Sequence, residues 1–365
     1  MLTPEPDTLE ALTAEAAPAL AAWGLRAGQW RIVGALPGAQ GGTLRPVVEI
    51  ERTRWVLRRQ APELTENDTR FRHAYMRHLA SAGLPIPALR PIAGGHTWAL
   101  AEDAIFELQA YLPGGAYASD DPQARGRLAS AAGTLGALHQ ASVEFAWQPH
   151  AWPEERSSAA LAQSYTDLIR QAGEQAGATQ LGAGLLRIAE GCEERLGPAA
   201  DALALGRPGP PQLHIHGDYQ PHHLAFTGER VAAIYDLDAA RWEQRVYELA
   251  YALFFFTGLR WDTETPLTPA LVDDGLDILR AHSFLSEYGR EAPPAEDEAA
   301  LLGSALTLVF PIAFANGAAE DIIFAGEYDG DLDEDDALAR IEWGDRFWLW
   351  LDRYTATLAQ TWESA

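Results

Sequence analysis

The residues with the most chemistry in them lie between His214 and Asp238. The stretch His214-Ile215-His216-Gly217-Asp218-Tyr219-Gln220-Pro221-His222-His223-Leu224 is followed, at a hairpin's distance, by Asp236-Leu237-Asp238. Phosphoryl transfer needs one carboxylate to orient or deprotonate an attacking hydroxyl, and a second to hold the divalent metal that bridges nucleotide phosphates. Both must sit on rigid backbone a few ångströms apart. Two short strands, predicted over Gln212 to His216 and Val231 to Leu237, would deliver Asp218 and Asp236 in this way. His216 is placed to brace the turn by hydrogen bonding, and Gly217 lets the backbone bend where a Cβ would clash.

The elements that must position these groups fall into two parts. In the first, Leu9 to Trp23 is an Ala-rich helix candidate, Gln29 to Leu36 a strand, and Pro37-Gly38-Ala39-Gln40-Gly41-Gly42 a small-residue turn. Arg45 to Ile50 and Arg54 to Arg59, joined by Glu51-Arg52-Thr53, predict a hairpin. Phe71, Tyr75, Met76 and Leu79 recur at helical spacing within Thr69 to Ala82. Gly83 stops that helix, and Pro85 and Pro87 keep the chain extended. Trp98 to Ala101 and Ala104 to Tyr111 predict two further strands. Leu112-Pro113-Gly114-Gly115 breaks this pattern, and helices follow over Pro122 to Ser142, Ser157 to Gly173 and Gly182 to Leu196. Beyond Leu237 the chain is helical again. The expectation is an α+β fold of two lobes: a small β-rich lobe over residues 1–111 and a larger, mainly helical lobe over residues 112–365.

These motifs, in this order, resemble the aminoglycoside phosphotransferase and choline kinase superfamily, and more narrowly its homoserine-kinase-type branch. The family pattern is His-Gly-Asp, four residues and Asn, then an Asp-x-Asp segment and Tyr-Asp-Leu-Ala. It is similar to His216-Gly217-Asp218, Asp236-Leu237-Asp238-Ala239-Ala240-Arg241 and Tyr247-Glu248-Leu249-Ala250 in this chain. The resemblance implies a protein-kinase-like fold with ATP between the lobes and magnesium, or another divalent metal, as cofactors. It implies that Asp218 is the catalytic base with His216 beside it, that Asp236 binds metal with His223 next to it, and that Gln220 and Asp238 support them. Trp55-Val56-Leu57-Arg58-Arg59 is similar to the third-strand motif whose cation, here Arg58, contacts phosphate. Phe71 to Leu79 resembles helix C. Phe106 to Gly114 resembles the hinge, which implies adenine near Gln109, Ala110 and Tyr111. The implied acceptor is the hydroxyl of a small molecule (an amino alcohol, sugar or aminoglycoside-like compound) resting against the helical lobe and the segment after residue 300.

Three positions depart from the family pattern. His223 stands where the family has a metal-binding Asn, and imidazole suits transition metals better than magnesium. Arg72 stands where helix C carries Glu, so that Arg58 would face a like charge. Gln220 replaces a His but keeps a donor. These departures keep a nucleotide or metabolite binder without turnover as an alternative to an active kinase. A remoter alternative is a zinc hydrolase built on His214-x-His216-x-Asp218. The acidic run Glu327 to Asp336 has partial calcium-loop spacing from Asp331 but lacks the loop's glycine, which favours a solvated loop.

The 365 residues, 47 % hydrophobic, are ample for a sizeable core, and 27 Lys and Arg against 52 Asp and Glu give a net charge of −25. That charge disfavours nucleic acid and anionic membrane as partners. Its ordinary role is solubility, with attraction of a cationic acceptor as the functional reading. The single cysteine, Cys192, excludes a disulfide framework and a Cys-rich zinc site. The N-terminus has no basic region of a secretory signal, and the apolar windows Leu249 to Leu259 and Leu301 to Ala315 are too short to span a bilayer, so the expected location is the cytoplasm. Nothing in the sequence points to an oligomeric state.

Overall fold

The computed structural model describes residues 2, 5–37, 44–147, 157–205, 211–262, 270–324 and 333–365. The chain divides into two compact units. One comprises Met1–Pro113 with Ala233–Tyr235, the other Gly114–Ala232 with Asp236–Ala365.

The first unit is built on a five-stranded antiparallel sheet. Its strands are β1 (Trp30–Pro37), β2 (Leu44–Ile50), β3 (Thr53–Arg59), β4 (Trp98–Ala101) and β5 (Ala104–Ala110), in the order β1-β2-β3-β5-β4. The β2–β3 hairpin closes on Glu51 and Arg52, and the β4–β5 hairpin on Glu102 and Asp103, all four at positive φ. This is the backbone that two-residue hairpins require, here without the usual glycine. Helix α1 (Pro6–Ala22) lays Ala16, Ala19 and Leu20 on Val48, Leu57 and Leu108. Side chains alternate across a strand, so Phe106 and Leu108 join that apolar layer while Glu107 and Gln109 point to the opposite face.

Helix α2 (Glu66–Ser81) supplies the partners there, its N-terminus fixed by a reciprocal Thr65–Asp68 cap. Glu107 is fully buried and accepts from Arg58 (3.3 Å), Arg72 (2.5 Å), Gln60 (3.1 Å) and Gln109 (2.7 Å). His73 Nε2 lies 2.7 Å from the same carboxylate, and its Nδ1 2.6 Å from Thr97 Oγ1. Arg58 and Arg72 therefore do not simply repel one another, as their alignment suggested. Both neutralise one acid that comes from β5 rather than from helix C. Burial pushes the Glu107 pKa up, but the Arg72 charge, the His73 hydrogen bond and the Arg58 charge outweigh it and hold the carboxyl well below its ordinary value. Burial pushes the His73 pKa down against the pull of Glu107.

The second unit is mainly helical. In chain order it contains α3 (Ala124–Val143), α4 (Ser158–Ala176), α5 (Gln180–Leu205), β6 (Gln212–Ile215), β7 (Leu224–Thr227), β8 (Arg230–Ile234, whose end belongs to the first unit), β9 (Arg241–Gln244) and α6 (Arg245–Thr257). After the short pair β10 (Leu259–Arg260) and β11 (Ala270–Leu271) come α7 (Ile278–Glu291), α8 (Leu302–Ala313), α9 (Glu320–Ile323) and α10 (Glu334–Glu363). Every residue of α6 is buried, and it packs on α3, α7 and α8. Gly136 lets α3 close on α7, because a Cβ there would lie 2.7 Å from Glu291 Cβ and 3.1 Å from Tyr288 O.

Several boundaries differ from expectation. Helix α5 runs past Leu196 and carries Pro198 in its interior. The apolar window after Leu301 is part of a helical run, Ala299–Ala318, that is long and apolar enough to cross a membrane, but 78 % of its most apolar stretch is buried inside the protein. Most of the turn at Pro37 to Gly42 and most of the acidic run lie outside the described residues. The described end of that run makes a helix start: Asp333 accepts from the Asp335 and Asp336 backbone N–H groups at the N-terminus of α10.

Replacing Glu107 by Gln leaves two buried guanidinium groups short of their counter-charge, and should cost roughly 3–5 kcal/mol of stability near neutral pH. The depressed pKa stabilises the fold above the ordinary carboxylate range, and that contribution is lost as pH falls through the folded-state value. Urea unfolding should therefore show a wide gap between wild type and Glu107→Gln at about pH 7 that narrows below about pH 4. A gap independent of pH would contradict this account.

Candidate active site

In the second unit β6 pairs antiparallel with β9, and Ile215 lies opposite Arg241. The turn after β6 carries Asp218. The turn between β8 and β9 carries Asp236. Gly217 (φ +85°) is where the two turns meet: a Cβ there would sit 2.0 Å from Ala239 O. No side chain fits at that contact, so glycine is required for the approach.

Buried groups hold the Asp218 turn from behind. Glu248 of α6 accepts the backbone N–H groups of His216 (3.0 Å) and Gly217. His139 of α3 places Nε2 2.8 Å from the same carboxylate and Nδ1 2.7 Å from Tyr288 Oη. Burial pushes the Glu248 pKa up, but the His139 hydrogen bond, the His139 and His216 charges and the Gly217 N–H more than offset it, leaving a depressed pKa. His216 braces the turn, with its Nδ1 3.3 Å from the Asp218 N–H. Arg241 Nη1 lies 3.2 Å from Ala239 O and 3.5 Å from Gly217 O, and so reaches both turns.

Both Asp218 oxygens have neighbours, Oδ1 at hydrogen-bond distance and Oδ2 at 3.4 Å from His223 Nδ1. Asp218 Oδ1 accepts from Tyr251 Oη (2.6 Å) and Gln220 Nε2 (2.9 Å). Burial and the Asp218 charge raise the Tyr251 pKa well above its ordinary value, so its hydroxyl stays a donor. Glu248 and Tyr251 are three residues apart on α6 and share a face, so one helix fixes both the turn and its carboxylate. Tyr165 of α4 also acts, more weakly, to raise the Tyr251 pKa. The Tyr165 hydroxyl accepts from Asn316 Nδ2 at 2.9 Å. Asn316 sits on a wide π-turn, Phe314–Ala318, a geometry that often marks functional positions.

Asp236 was expected at the end of a strand. Instead β8 stops at Ile234, and Asp236 takes a left-handed conformation (φ 61°, ψ 60°) before the turn Leu237–Ala239, which includes Asp238. For a residue with a Cβ this conformation costs roughly 1–2 kcal/mol, and such outliers concentrate at functional sites. His223 stands between the aspartates. Its Nδ1 is 2.8 Å from Asp218 O and 3.4 Å from Asp218 Oδ2, and its Nε2 is 3.8 Å from Asp236 Oδ2. Among the described residues no three His, Cys, Asp or Glu side chains form a ready-made metal cage. His223 and Asp236 fit a metal that takes one or two protein ligands and completes its shell with phosphate oxygens and water.

The hydrolase alternative needs His214, His216 and Asp218 around one ion. His214 is instead packed edge-on between Phe145 and Trp242 (ring centroids 5.0 Å from each), and burial pushes its pKa down to about 4.

The first-unit candidates are placed as follows. Arg58 lies in the Glu107 network, and the Gln109 side chain is spent on Glu107. The backbone N–H groups of Ala110 and Tyr111 are donated to Ala88 O (2.7 Å) and Arg54 O (3.0 Å). Tyr235 Oη donates to Leu112 O at 2.6 Å.

Glu248 and Arg241 stand in motifs that carried the resemblance, but no role was assigned to them or to Tyr251. The available signal was a carboxylate inside a helix otherwise rich in Phe, Leu and Ala, because a buried acid must have partners.

Comparison with known proteins fits this geometry. The sequence model described as "Phosphotransferase enzyme family" matches residues 36–293. A search by sequence among curated proteins finds no match. Among solved structures, the aminoglycoside phosphotransferase of Alicyclobacillus acidocaldarius is 14 % identical, with a TM-score of 0.60 over 100 % of this chain and 98 % of that one. The choline kinase of Cryptosporidium parvum is 10 % identical, with a TM-score of 0.59 over 99 % of each chain. A microcompartment-associated aminopropanol kinase is 14 % identical, with a TM-score of 0.53 over 95 % of this chain and 98 % of that one. At these identities the likeness shows the fold, which is the α+β, kinase-like fold of two lobes. The family match spans well over half of the sequence, and the chain belongs to the phosphotransferase enzyme family.

Proposed function

We propose that the protein transfers the γ-phosphoryl group of ATP to a hydroxyl group of a small molecule. The observation that carries this reading is the pair of aspartates on facing turns, with Asp218 anchored through Oδ1 by Tyr251 and Gln220. Tyr251 and Gln220 orient the carboxylate so that Oδ2 is presented to the acceptor. The acceptor hydroxyl donates to Oδ2, its oxygen attacks the γ-phosphorus, and the bond to the β-phosphate oxygen breaks. The hydroxyl proton passes to Asp218, and ADP leaves. A divalent metal held by Asp236 and His223 would offset charge on the phosphates. Tyr165 and Asn316 are our candidates to meet the polar groups of the acceptor, for which an amino alcohol, sugar or aminoglycoside-like compound is our reading.

We assign residues 1–111 the nucleotide-covering role and residues 112–365 the catalytic and acceptor-binding role. Arg58 is the first unit's candidate for phosphate. Gln109, Ala110 and Tyr111 mark the strand end for the base. Because the Ala110 and Tyr111 N–H groups are already engaged, base recognition there would use carbonyl oxygens, or N–H groups beyond Tyr111.

A phosphotransfer screen against hydroxyl-bearing metabolites, run beside calorimetry with ATP, tests this reading. Asp218→Asn should lower kcat by roughly 10²–10⁴-fold and leave nucleotide affinity intact. Nucleotide binding without transfer to any acceptor, in wild type as in the variant, would instead establish a binder without turnover. Tyr251→Phe should lower kcat by about tenfold, the equivalent of one hydrogen bond to a charged group. Asn316→Ala should raise the acceptor KM several-fold with the ATP KM unchanged. A change confined to the ATP KM would place Asn316 outside the acceptor site.

A further inference from the structure

We infer that His223 is a metal ligand through Nε2, and that it tunes this site to first-row transition-metal ions in preference to magnesium. The inference deepens the phosphotransferase reading and rests on it for the nucleotide that completes the metal's shell.

The argument begins at the other ring nitrogen. His223 Nδ1 has Asp218 O at 2.8 Å and Asp218 Oδ2 at 3.4 Å. A backbone carbonyl can only accept, so Nδ1 is the protonated nitrogen. Nε2 is the nitrogen turned toward Asp236, and a metal bound there would take the place of any proton it carries. The Asp218 carbonyl thus fixes which ring nitrogen faces Asp236. A ring N–H given to a carbonyl, with the opposite nitrogen presented outward, is the arrangement that orients metal-binding histidines.

The separation agrees. Nε2 and Asp236 Oδ2 are 3.8 Å apart, longer than a hydrogen bond. Two ligands each about 2.1 Å from one ion can be separated by up to about 4.2 Å, so one ion can bridge this pair. The left-handed backbone at Asp236 turns its carboxylate to this position, and Gly217 allows the two turns to come this close.

The donor set then selects the metal. Magnesium prefers oxygen, demands near-octahedral geometry and gives up water reluctantly. Imidazole nitrogen adds affinity for first-row ions that rises from manganese through cobalt to copper and falls again at zinc. An amide side chain at position 223 would offer only an oxygen. One nitrogen beside one carboxylate, with phosphate oxygens for the rest, is a mixed set that magnesium does not favour.

Manganese is the probe, because its electron spin reports directly on a coordinated nitrogen. Pulsed electron paramagnetic resonance should be recorded on the whole protein with Mn²⁺, with and without ADP, using samples grown with ordinary and with ¹⁵N-histidine. The expected result is a nitrogen coupling that changes with the isotope and disappears in His223→Asn and His223→Gln. Displacement of Mn²⁺ by Mg²⁺ should be about tenfold or more easier in these variants than in wild type. Absence of an isotope-sensitive coupling in wild type overturns the inference whether or not a variant folds. So does an Mg²⁺ to Mn²⁺ affinity ratio unchanged by folded variants. None of these readouts needs turnover, so a protein that coordinates manganese through His223 yet transfers no phosphate would sink the functional proposal and leave this inference standing.

Discussion

The second unit is organised around one buried carboxylate. Glu248 lies in the interior of α6 and accepts two consecutive backbone N–H groups from the His216–Gly217 turn. An acid in that position would be costly if unpaired. Here it is paired three ways, with His139 as the side-chain partner and Tyr288 holding the far side of that ring. The consequence is positional. The turn cannot move without stripping partners from a buried charge, so Asp218 inherits the rigidity of α3, α6 and α7. Tyr251, one helical turn along the same face, transmits the same constraint to the carboxylate itself.

The first unit solves a similar problem with different parts. Two arginines and a histidine would be a poor cluster to bury, and Glu107 makes it tolerable by taking hydrogen bonds from all the charged groups around it. A kinase-like sheet needs a cation fixed on its third strand. The usual source of the fixing acid is the helix, and in this chain it is the neighbouring strand, directly opposite Arg58 in the β3–β5 register. The two charges therefore meet through the sheet's own pairing. The helix contributes Arg72, which makes the cluster more positive and moves Glu107 further into its ionised form.

Much of this was legible in the sequence, and the part that was not has a physical reason. Strand and helix placements in the first unit follow from alternation and helical spacing, which report burial directly. The His216-Gly217-Asp218 turn was legible as a turn because its glycine marks where the backbone bends. The Arg58 and Arg72 relationship was misread, because a motif comparison asks what occupies one position and not what else reaches the same space. Glu107 belonged to a strand, and its significance depends on the register between β3 and β5, which a sequence does not print. Glu248 was part of a quoted motif, but neither it nor Tyr251 was given a role, because their helix is so apolar that its packing masked its two polar contacts. The left-handed Asp236 was also invisible, since an aspartate at a strand end and one a step beyond it look alike until φ is known.

The net charge gives a bound metal a physical purpose in the proposed chemistry. At −25 the protein repels a nucleotide before contact, although screening confines that field to about 8 Å at physiological salt. Within that range Asp218 and Asp236 add negative charge where phosphates would lie. The arginines near the two motifs are heavily committed: Arg58 to Glu107, and Arg241, buried, to the carbonyls of the two turns. Neither is an exposed clamp. In the proposed reading, a divalent ion held by Asp236 and His223 would add positive charge at the phosphates to whatever the first unit's arginines supply. A chain this acidic gains more from a strongly bound metal than a basic one would. A nitrogen ligand that raises affinity without adding another negative charge answers that requirement where a third carboxylate would not.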